Sequence, residues 1–177
     1  MKYIALLRGI NVGGKKRIKM ADLVEALEPL GLENVKTYLQ SGNVIFEYDS
    51  IDSDEIARNI EDKISQTFGI SVNVIIRTES ELERVINTNP FIKKPNIELD
   101  KLHVTFLKEL PDFIALDLNK SENEKFEVID REIYLYLPNG YGRTKLTNNI
   151  FEKKLKTTAT TRNWKTTNKL FEMSKNR

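Results

Sequence analysis

DSDEIARNIEDKISQTFGISVNVII, residues 52–76, holds both periodicities that decide the fold. Ile56, Ile60, Ile64 and Phe68 recur every four residues, which places them on one face of a helix. Asp52-Ser-Asp-Glu55 has the spacing of a capping box and opens that helix. Gly69 closes it, since glycine takes the left-handed conformation at a helix end at little cost. Ile70, Val72, Val74 and Ile76 then alternate, the period of a strand with one face buried.

The flanking residues supply the rest of the order. On its N-terminal side, Lys2 to Ile10 reads as a strand. Met20 to Leu30 reads as a helix with Leu23, Leu27 and Leu30 on one face, closed by Gly31. Val35 to Gln40 and Val44 to Tyr48 are β-rich runs around Ser41-Gly42-Asn43, a hairpin signal. On the C-terminal side, Thr78-Glu-Ser-Glu81 caps a helix with Leu82, Val85 and Ile86 on its apolar face. The order β-α-β-β-α-β-α is the ferredoxin-like pattern with one added helix.

Asn87 to Asp100 contains Pro90 and Pro95 and reads as a linker. A second round begins at Lys101 with a strand to Lys108. It continues with a helix near Pro111 to Leu118, strands at Lys125 to Ile129 and Glu132 to Leu137, and a helix at Leu146 to Leu155. No closing strand is expected; a helix from Asn163 to Met173 takes its place, with Thr160 or Thr161 as its N-cap. The expected fold class is α+β in two lobes. Residues 1–88 form a ferredoxin-like lobe, 89–100 a linker, and 101–177 a second α+β lobe with extra C-terminal helices. The second lobe is a related partial repeat in element order, with no repeat visible residue by residue.

The topology carries a geometric consequence. In the ferredoxin-like order the first and second strands run parallel with the third between them, so their carboxyl ends share one edge of the sheet. The loop Arg8 to Lys19 then lies beside Gln40-Ser-Gly-Asn43, at a separation of roughly 10 Å, two strand spacings.

That loop is basic. Residues 1–20 hold 6 Lys or Arg and no acid, and residues 141–177 hold 10 basic residues against 2 acidic ones. The 120 residues between carry 12 basic and 24 acidic side chains, so the net charge of +2 hides a polarised chain. Basic, glycine-bearing loops offer cations and bare backbone N–H groups to anions.

Gly9-Ile-Asn-Val-Gly-Gly-Lys15 satisfies the front of a P-loop, G-x-x-x-x-G-K, after a strand. Lys16 stands where that motif needs Ser or Thr, and the helix starts about five residues late for its N-terminus to face a phosphate. The sequence therefore argues against a P-loop nucleotide hydrolase. It leaves a looser phosphate or carboxylate site and a solvated lysine-rich turn as alternatives. The ferredoxin-like order also suits an RNA-recognition module, which stacks bases on central-strand aromatics. The stacking positions fall on Asn43 and Ile45, with Phe46 on the opposite face, so sequence-specific RNA reading by that route is not expected.

Tyr141-Gly-Arg-Thr-Lys-Leu146 and Thr157-Thr-Ala-Thr-Thr-Arg-Asn-Trp164 form the second informative region. Arg143 and Lys145 sit beside glycines at a helix start, where the helix dipole does not favour cations. Either an anion or the acidic middle of the chain could hold them there. Trp164, with Thr167, Asn168 and Phe171, lies at helical spacing as a core anchor, with a stacking surface as the alternative.

Composition narrows the chemistry. The chain has 177 residues, 40% of them hydrophobic and 31% charged, and contains no cysteine and 1 histidine. That excludes thiol catalysis, disulfides and Cys- or His-cluster metal sites, so no metal site is expected. His103, in Leu102-His-Val-Thr-Phe-Leu107, reads as a structural mid-strand residue, and no nucleophile elbow surrounds any serine. No catalytic acid–base pair can be nominated. The absence of a membrane-length apolar run and of a leader-like start points to a cytoplasmic protein with no membrane partner.

Leu6-Leu-Arg-Gly-Ile-Asn-Val-Gly-Gly14, Thr37-Tyr-Leu-Gln-Ser-Gly-Asn-Val44 and Ala159-Thr-Thr-Arg-Asn-Trp164, with Lys145-Leu-Thr-Asn-Asn149, together resemble the bacterial family called domain of unknown function 1697. The resemblance spans nearly the whole chain. It implies a cytoplasmic α+β protein with ferredoxin-like lobes and brings no reaction, cofactor or catalytic residue.

The functional expectation is a small anionic ligand, a nucleotide or phosphorylated metabolite. Arg8, Asn11, Gly13, Gly14 and Lys15 form its anion loop, and Gln40, Ser41 and Asn43 add neutral hydrogen bonds from the same rim. Arg143, Lys145, Arg162 and Asn163 close the site from the second lobe. Two alternatives stay open: nucleic-acid association through the basic ends, and an enzyme acting on such an anion.

Overall fold

The computed structural model describes residues 1–112 and 116–176. The first half runs β1 (Lys2–Leu7), α1 (Met20–Leu27), β2 (Glu33–Thr37), β3 (Asn43–Glu47), α2 (Ser53–Phe68), β4 (Val74–Thr78) and α3 (Glu79–Asn87). The second half runs β5 (Leu102–Leu107), β6 (Lys125–Ile129), β7 (Glu132–Tyr136), α4 (Asn148–Leu155), β8 (Ala159–Asn163) and α5 (Trp164–Lys175). Among the described residues there are two four-stranded antiparallel sheets, ordered β2-β3-β1-β4 and β6-β7-β5-β8. The chain is an α+β protein of two ferredoxin-like-type units. The first is Met1–Glu83 together with Leu170–Arg177, and the second is Arg84–Lys169.

Local chemistry sets the elements of the first unit as their sequence dictates. Asp52 accepts from the backbone N–H groups of Asp54 and Glu55, both at 3.0 Å, and opens α2. Gly69 ends it at φ 68°. Thr78 and Glu81 cap α3 reciprocally: Glu81 N donates to Thr78 Oγ1 at 3.1 Å, and Thr78 N to Glu81 Oε2 at 2.8 Å. The core lies between one sheet face and two helices. Tyr3, Ala5 and Leu7 of β1, Val44 and Phe46 of β3, and Val74 and Ile76 of β4 pack against Leu23 and Leu27 of α1 and Ile56, Ile60 and Ile64 of α2. Phe46 stacks on Tyr3 at 5.7 Å, as the core side of β3 requires.

Two expectations for the second unit are corrected. A closing strand exists: β8 pairs antiparallel with β5, from His103↔Asn163 to Leu107↔Ala159. Its run of threonines carries no apolar alternation, but threonine is β-branched and fits a pleated surface. The N-cap of α5 is Asn163, whose Oδ1 accepts from Thr166 N at 2.7 Å, not Thr160 or Thr161, which lie inside β8. The helix expected near Pro111 to Leu118 falls partly on residues 113–115, outside the described residues; its described flanks, 111–112 and 116–118, are not helical.

The two sheets also repeat in register, beyond the shared element order. Ile4 pairs with Ile45 and Arg77 in the first; Val104 pairs with Tyr134 and Arg162 in the second. Leu7 N donates to Gly42 O at 2.8 Å, and Leu107 N to Arg131 O at 2.8 Å. Arg8 N donates to Asn73 O, and Lys108 N to Thr158 O, both at 2.9 Å. In each unit the last strand delivers a buried arginine, Arg77 or Arg162, and then a residue that caps the next helix, Thr78 or Asn163.

Candidate functional site

Leu7 ends β1, and the chain then turns through Gly9 and Ile10 into the basic loop. Ile10 is buried and returns to the core. Val12 and Lys15 form an isolated antiparallel bridge, with Lys15 N donating to Val12 O at 3.1 Å. Gly13 (φ 59°) and Gly14 (φ 74°) are the two central residues of this turn. Positive φ at both positions defines the primed hairpin turn, which glycine adopts without a Cβ penalty. The glycines thus make a β-turn, and the Lys15 N–H is spent inside it. The structure does not use this stretch as a P-loop.

Asn11 ties the hairpin down. Its Nδ2 donates to Ile18 O at 2.9 Å and to Gln40 O at 2.7 Å, and its Oδ1 accepts from Ile18 N at 2.9 Å. One side chain therefore joins the start of the loop, its return and the β2–β3 turn, at the sheet edge where the topology brings them together. The β2–β3 turn is latched by its own residues. Asn43 is buried, and its Nδ2 donates to Tyr38 O at 2.7 Å and to Ser41 Oγ at 3.0 Å. Gly42, within that turn, has φ 77°, and Leu7 and Ile10 crowd the place its Cβ would take.

Beside the hairpin lies an open cavity of about 560 Å³. Asn11, Gly14 and Gln40 line it among the residues expected from sequence. It also takes in Arg17, Lys19 and Asp22, over Ile18 and Phe68. Among the described residues Arg17 and Lys19 make no ion pair. The Arg17 guanidinium packs over Gly14, with Nη2 3.2 Å from where a Cβ would stand. Arg17 and Lys19 are not among the residues the sequence singles out. Gly13-Gly14 as a two-residue hairpin turn is the signal that could find them, because residues 17 and 19 then share one side of an extended return while Ile18 turns inward.

The remaining first-unit candidates stand around this cavity without lining it. Arg8 is half-buried, Lys15 is exposed, Gly13 forms the turn, and Ser41 and Asn43 hold the neighbouring one. Lys16 reaches away and donates to Ser71 O at 2.6 Å.

The other candidates lie in the second unit. Arg162 is buried and donates to Thr160 Oγ1 at 2.7 Å and Thr161 O at 3.0 Å. Asn163 caps α5. Arg143 lies exposed in a short 3-10 turn, Tyr141–Arg143. Lys145 lines an open cavity with Lys120, Lys154 and Asp117. Trp164 is buried. His103 stacks on Tyr141 at 5.5 Å, and burial holds its imidazole below the usual histidine range.

Asn43 and Ile45, the positions an RNA-recognition module would use for stacking, are both buried. Among the described residues no group of three or more His, Asp or Glu side chains is placed to hold a metal ion, and no helix is long and apolar enough to cross a membrane.

Comparison with known proteins adds a family and a fold. The family model described as "Protein of unknown function (DUF1697)" matches residues 1–134. No curated protein matches the sequence. The solved structure of conserved bacterial protein SP0830 from Streptococcus pneumoniae superposes with a TM-score of 0.74 at 24% identity, over 98% of this chain and 98% of that one. At that identity the likeness speaks for the fold.

Proposed function

We propose, for a chain that belongs to the DUF1697 family of proteins of unknown function, that its first unit binds a small anionic ligand, a nucleotide or phosphorylated metabolite, at the basic hairpin. The observation that carries the reading is the cavity of about 560 Å³ in which Arg17 and Lys19 stand without an ion pair among the described residues, edged by Asn11 and Gln40. Its size lies within the range of about 300–1,000 Å³ common to small-molecule sites. Gly13 and Gly14 supply the turn, and Gly14 leaves room for the Arg17 guanidinium, whose planar fork suits phosphate or carboxylate. Arg8 and Lys15 add to the positive field around the cavity. Ser41 and Asn43 hold the turn that presents Gln40. Arg143, Lys145, Arg162 and Asn163 are not needed for this reading. A cysteine-free chain suits the reducing cytoplasm in which such ligands are found.

Titration of inorganic phosphate into the protein, followed by amide chemical shifts, tests the proposal. The expected result is saturable shifts confined to residues of the hairpin and the Gln40 turn, lost in the double variant Arg17→Ala/Lys19→Ala. A compact ligand also gives a shallow salt dependence, whereas a nucleic-acid backbone gives a steep one. Shifts that do not saturate, or that survive in the double variant, refute the placement.

A further inference from the structure

The cavity beside the hairpin is not uniformly positive. Asp22, in the first turn of α1, lines it together with Arg17 and Lys19, yet among the described residues Asp22 makes no ion pair with either. Its floor is apolar: Ile18 is buried and Phe68, the last residue of α2, is half-buried. A bare phosphate gains from the two cations, is opposed by the carboxylate and leaves the floor uncovered. A polyanion is opposed in the same way.

We propose that the ligand is an organic phosphate ester carrying an amino or hydroxyl donor. Its phosphate lies at Arg17 and Lys19, its donor at the Asp22 carboxylate, and its carbon body on Ile18 and Phe68. The inference rests on the anion reading above and adds an orientation and a selectivity residue to it. Asp22 then acts as a selectivity residue: it accepts a hydrogen bond from the right ligand and repels the wrong one. The cavity volume of about 560 Å³ has room for a nucleoside monophosphate or a sugar phosphate, far more than a phosphate ion needs.

Isothermal titration with inorganic phosphate, ribose 5-phosphate and AMP, on the natural chain and on Asp22→Asn, tests this. Asp22 is exposed, and Asn is close to it in size, so the variant should fold. The natural chain should bind AMP, ribose 5-phosphate or both about tenfold or more tighter than phosphate, as one charge-assisted hydrogen bond allows. AMP alone would mark the donor as the base amine, and both esters would mark it as a ribose hydroxyl. Asp22→Asn should cut the preference for the ester over phosphate about tenfold, because both ligands gain from removal of the like charge while only the ester loses a charge-assisted hydrogen bond. If phosphate binds as tightly as the esters, or Asp22→Asn leaves the ratio of ester to phosphate affinity unchanged, the inference is overturned and the anion site stands. If no probe binds the natural chain, the anion reading falls and takes the inference with it.

Discussion

Gly42→Ala should be among the most damaging single-methyl changes in the first unit. Gly42 has φ 77°, a conformation that costs an alanine about 1–2 kcal/mol. A Cβ there would stand 2.7 Å from Leu7 Cβ and Ile10 Cδ1, and 2.9 Å from Ile10 Cγ1. Carbon atoms pack at about 3.5–4.0 Å, so the added methyl must displace something. Neither neighbour can swing away. Leu7 is 0% and Ile10 1% exposed, and Leu7 N is bonded to Gly42 O itself at 2.8 Å. Overpacking of this kind costs about 1–3 kcal/mol, and with the backbone cost the total is about 2–5 kcal/mol. Gly13→Ala is the control, because Gly13 has φ 59° and nothing within 4 Å of its would-be Cβ. It should lose only the backbone cost, about 1–2 kcal/mol. Urea unfolding followed by circular dichroism, with equal m-values for the two variants, measures both. A Gly42→Ala cost no larger than that of Gly13→Ala would mean that Leu7 and Ile10 do yield to the added methyl.

The pH dependence of stability should have a signature at each end. His103 is the 1 histidine of the chain, and burial, aided by the charge of Lys101 and opposed by the hydrogen bond to its carbonyl, lowers its pKa below 6.5. The stability it contributes is complete above pH 6.5 and is lost as pH falls through the lowered folded-state value, because the unfolded chain takes up the proton first. The imidazole proton resonance should titrate with a midpoint below 6.5, and His103→Gln should flatten that limb of the stability curve. Burial pushes Tyr134 up to about 12, against the opposing hydrogen bond to Thr88. Its contribution is complete below pH 10 and is lost as pH rises through about 12. Tyr134→Phe should remove this alkaline limb, and at neutral pH should cost about 1–2 kcal/mol in urea unfolding by stranding the Val85 carbonyl that Tyr134 Oη reaches at 3.0 Å. Asp52→Ala should cost about 1 kcal/mol, since two α2 N–H groups lose their acceptor, and Asp52→Asn should recover most of it.

What the sequence discloses follows from which interactions are local. The order of the first unit is legible because Ile56, Ile60, Ile64 and Phe68 keep the helical period, and because Gly31 and Gly69 take the left-handed closures that glycine favours. The same reading fails at Ala159–Asn163. Ala159, Thr160 and Arg162 are buried there without an apolar alternation, and the strand is specified by its partner β5, whose register no local pattern encodes. Threonine is both a strand former and a helix cap, so the Thr pair reads as a cap. Around the cavity, the meeting of the basic loop with Gln40 is legible from topology alone. The presence of Arg17 and Lys19 in the cavity is not, because the P-loop template draws attention to Lys15, whereas a Gly-Gly hairpin carries the chain past it to residues 17 and 19.

The internal repeat gives the hairpin its meaning. The second unit reproduces the frame of the first, including the hydrogen bonds that close it, and does so without a glycine hairpin. After Leu107 the chain continues as Lys108-Glu-Leu-Pro111, and the position that answers to Gly42 is Arg131, whose carbonyl accepts from Leu107 as Gly42 does from Leu7. A ferredoxin-like sheet in this chain therefore needs neither the loop nor the glycine beneath it. The first unit nevertheless holds Asn11, Gly13, Gly14 and Lys16 at positive φ within six residues, and the two that are not glycine carry a backbone cost. It also gathers Lys15, Lys16, Arg17 and Lys19 within five residues, where mutual repulsion opposes folding. Gly42 is required because Ile10 folds down onto it, and Ile10 folds down because the hairpin must be anchored. Features that the frame does not demand, and that cost stability to keep, are the ones a ligand can explain. Replacing residues 11–17 with a short neutral turn should thus leave the chain folded, at the cost of the Asn11 hydrogen bonds, while abolishing phosphate binding. If the replacement unfolds the first unit, the hairpin belongs to the frame.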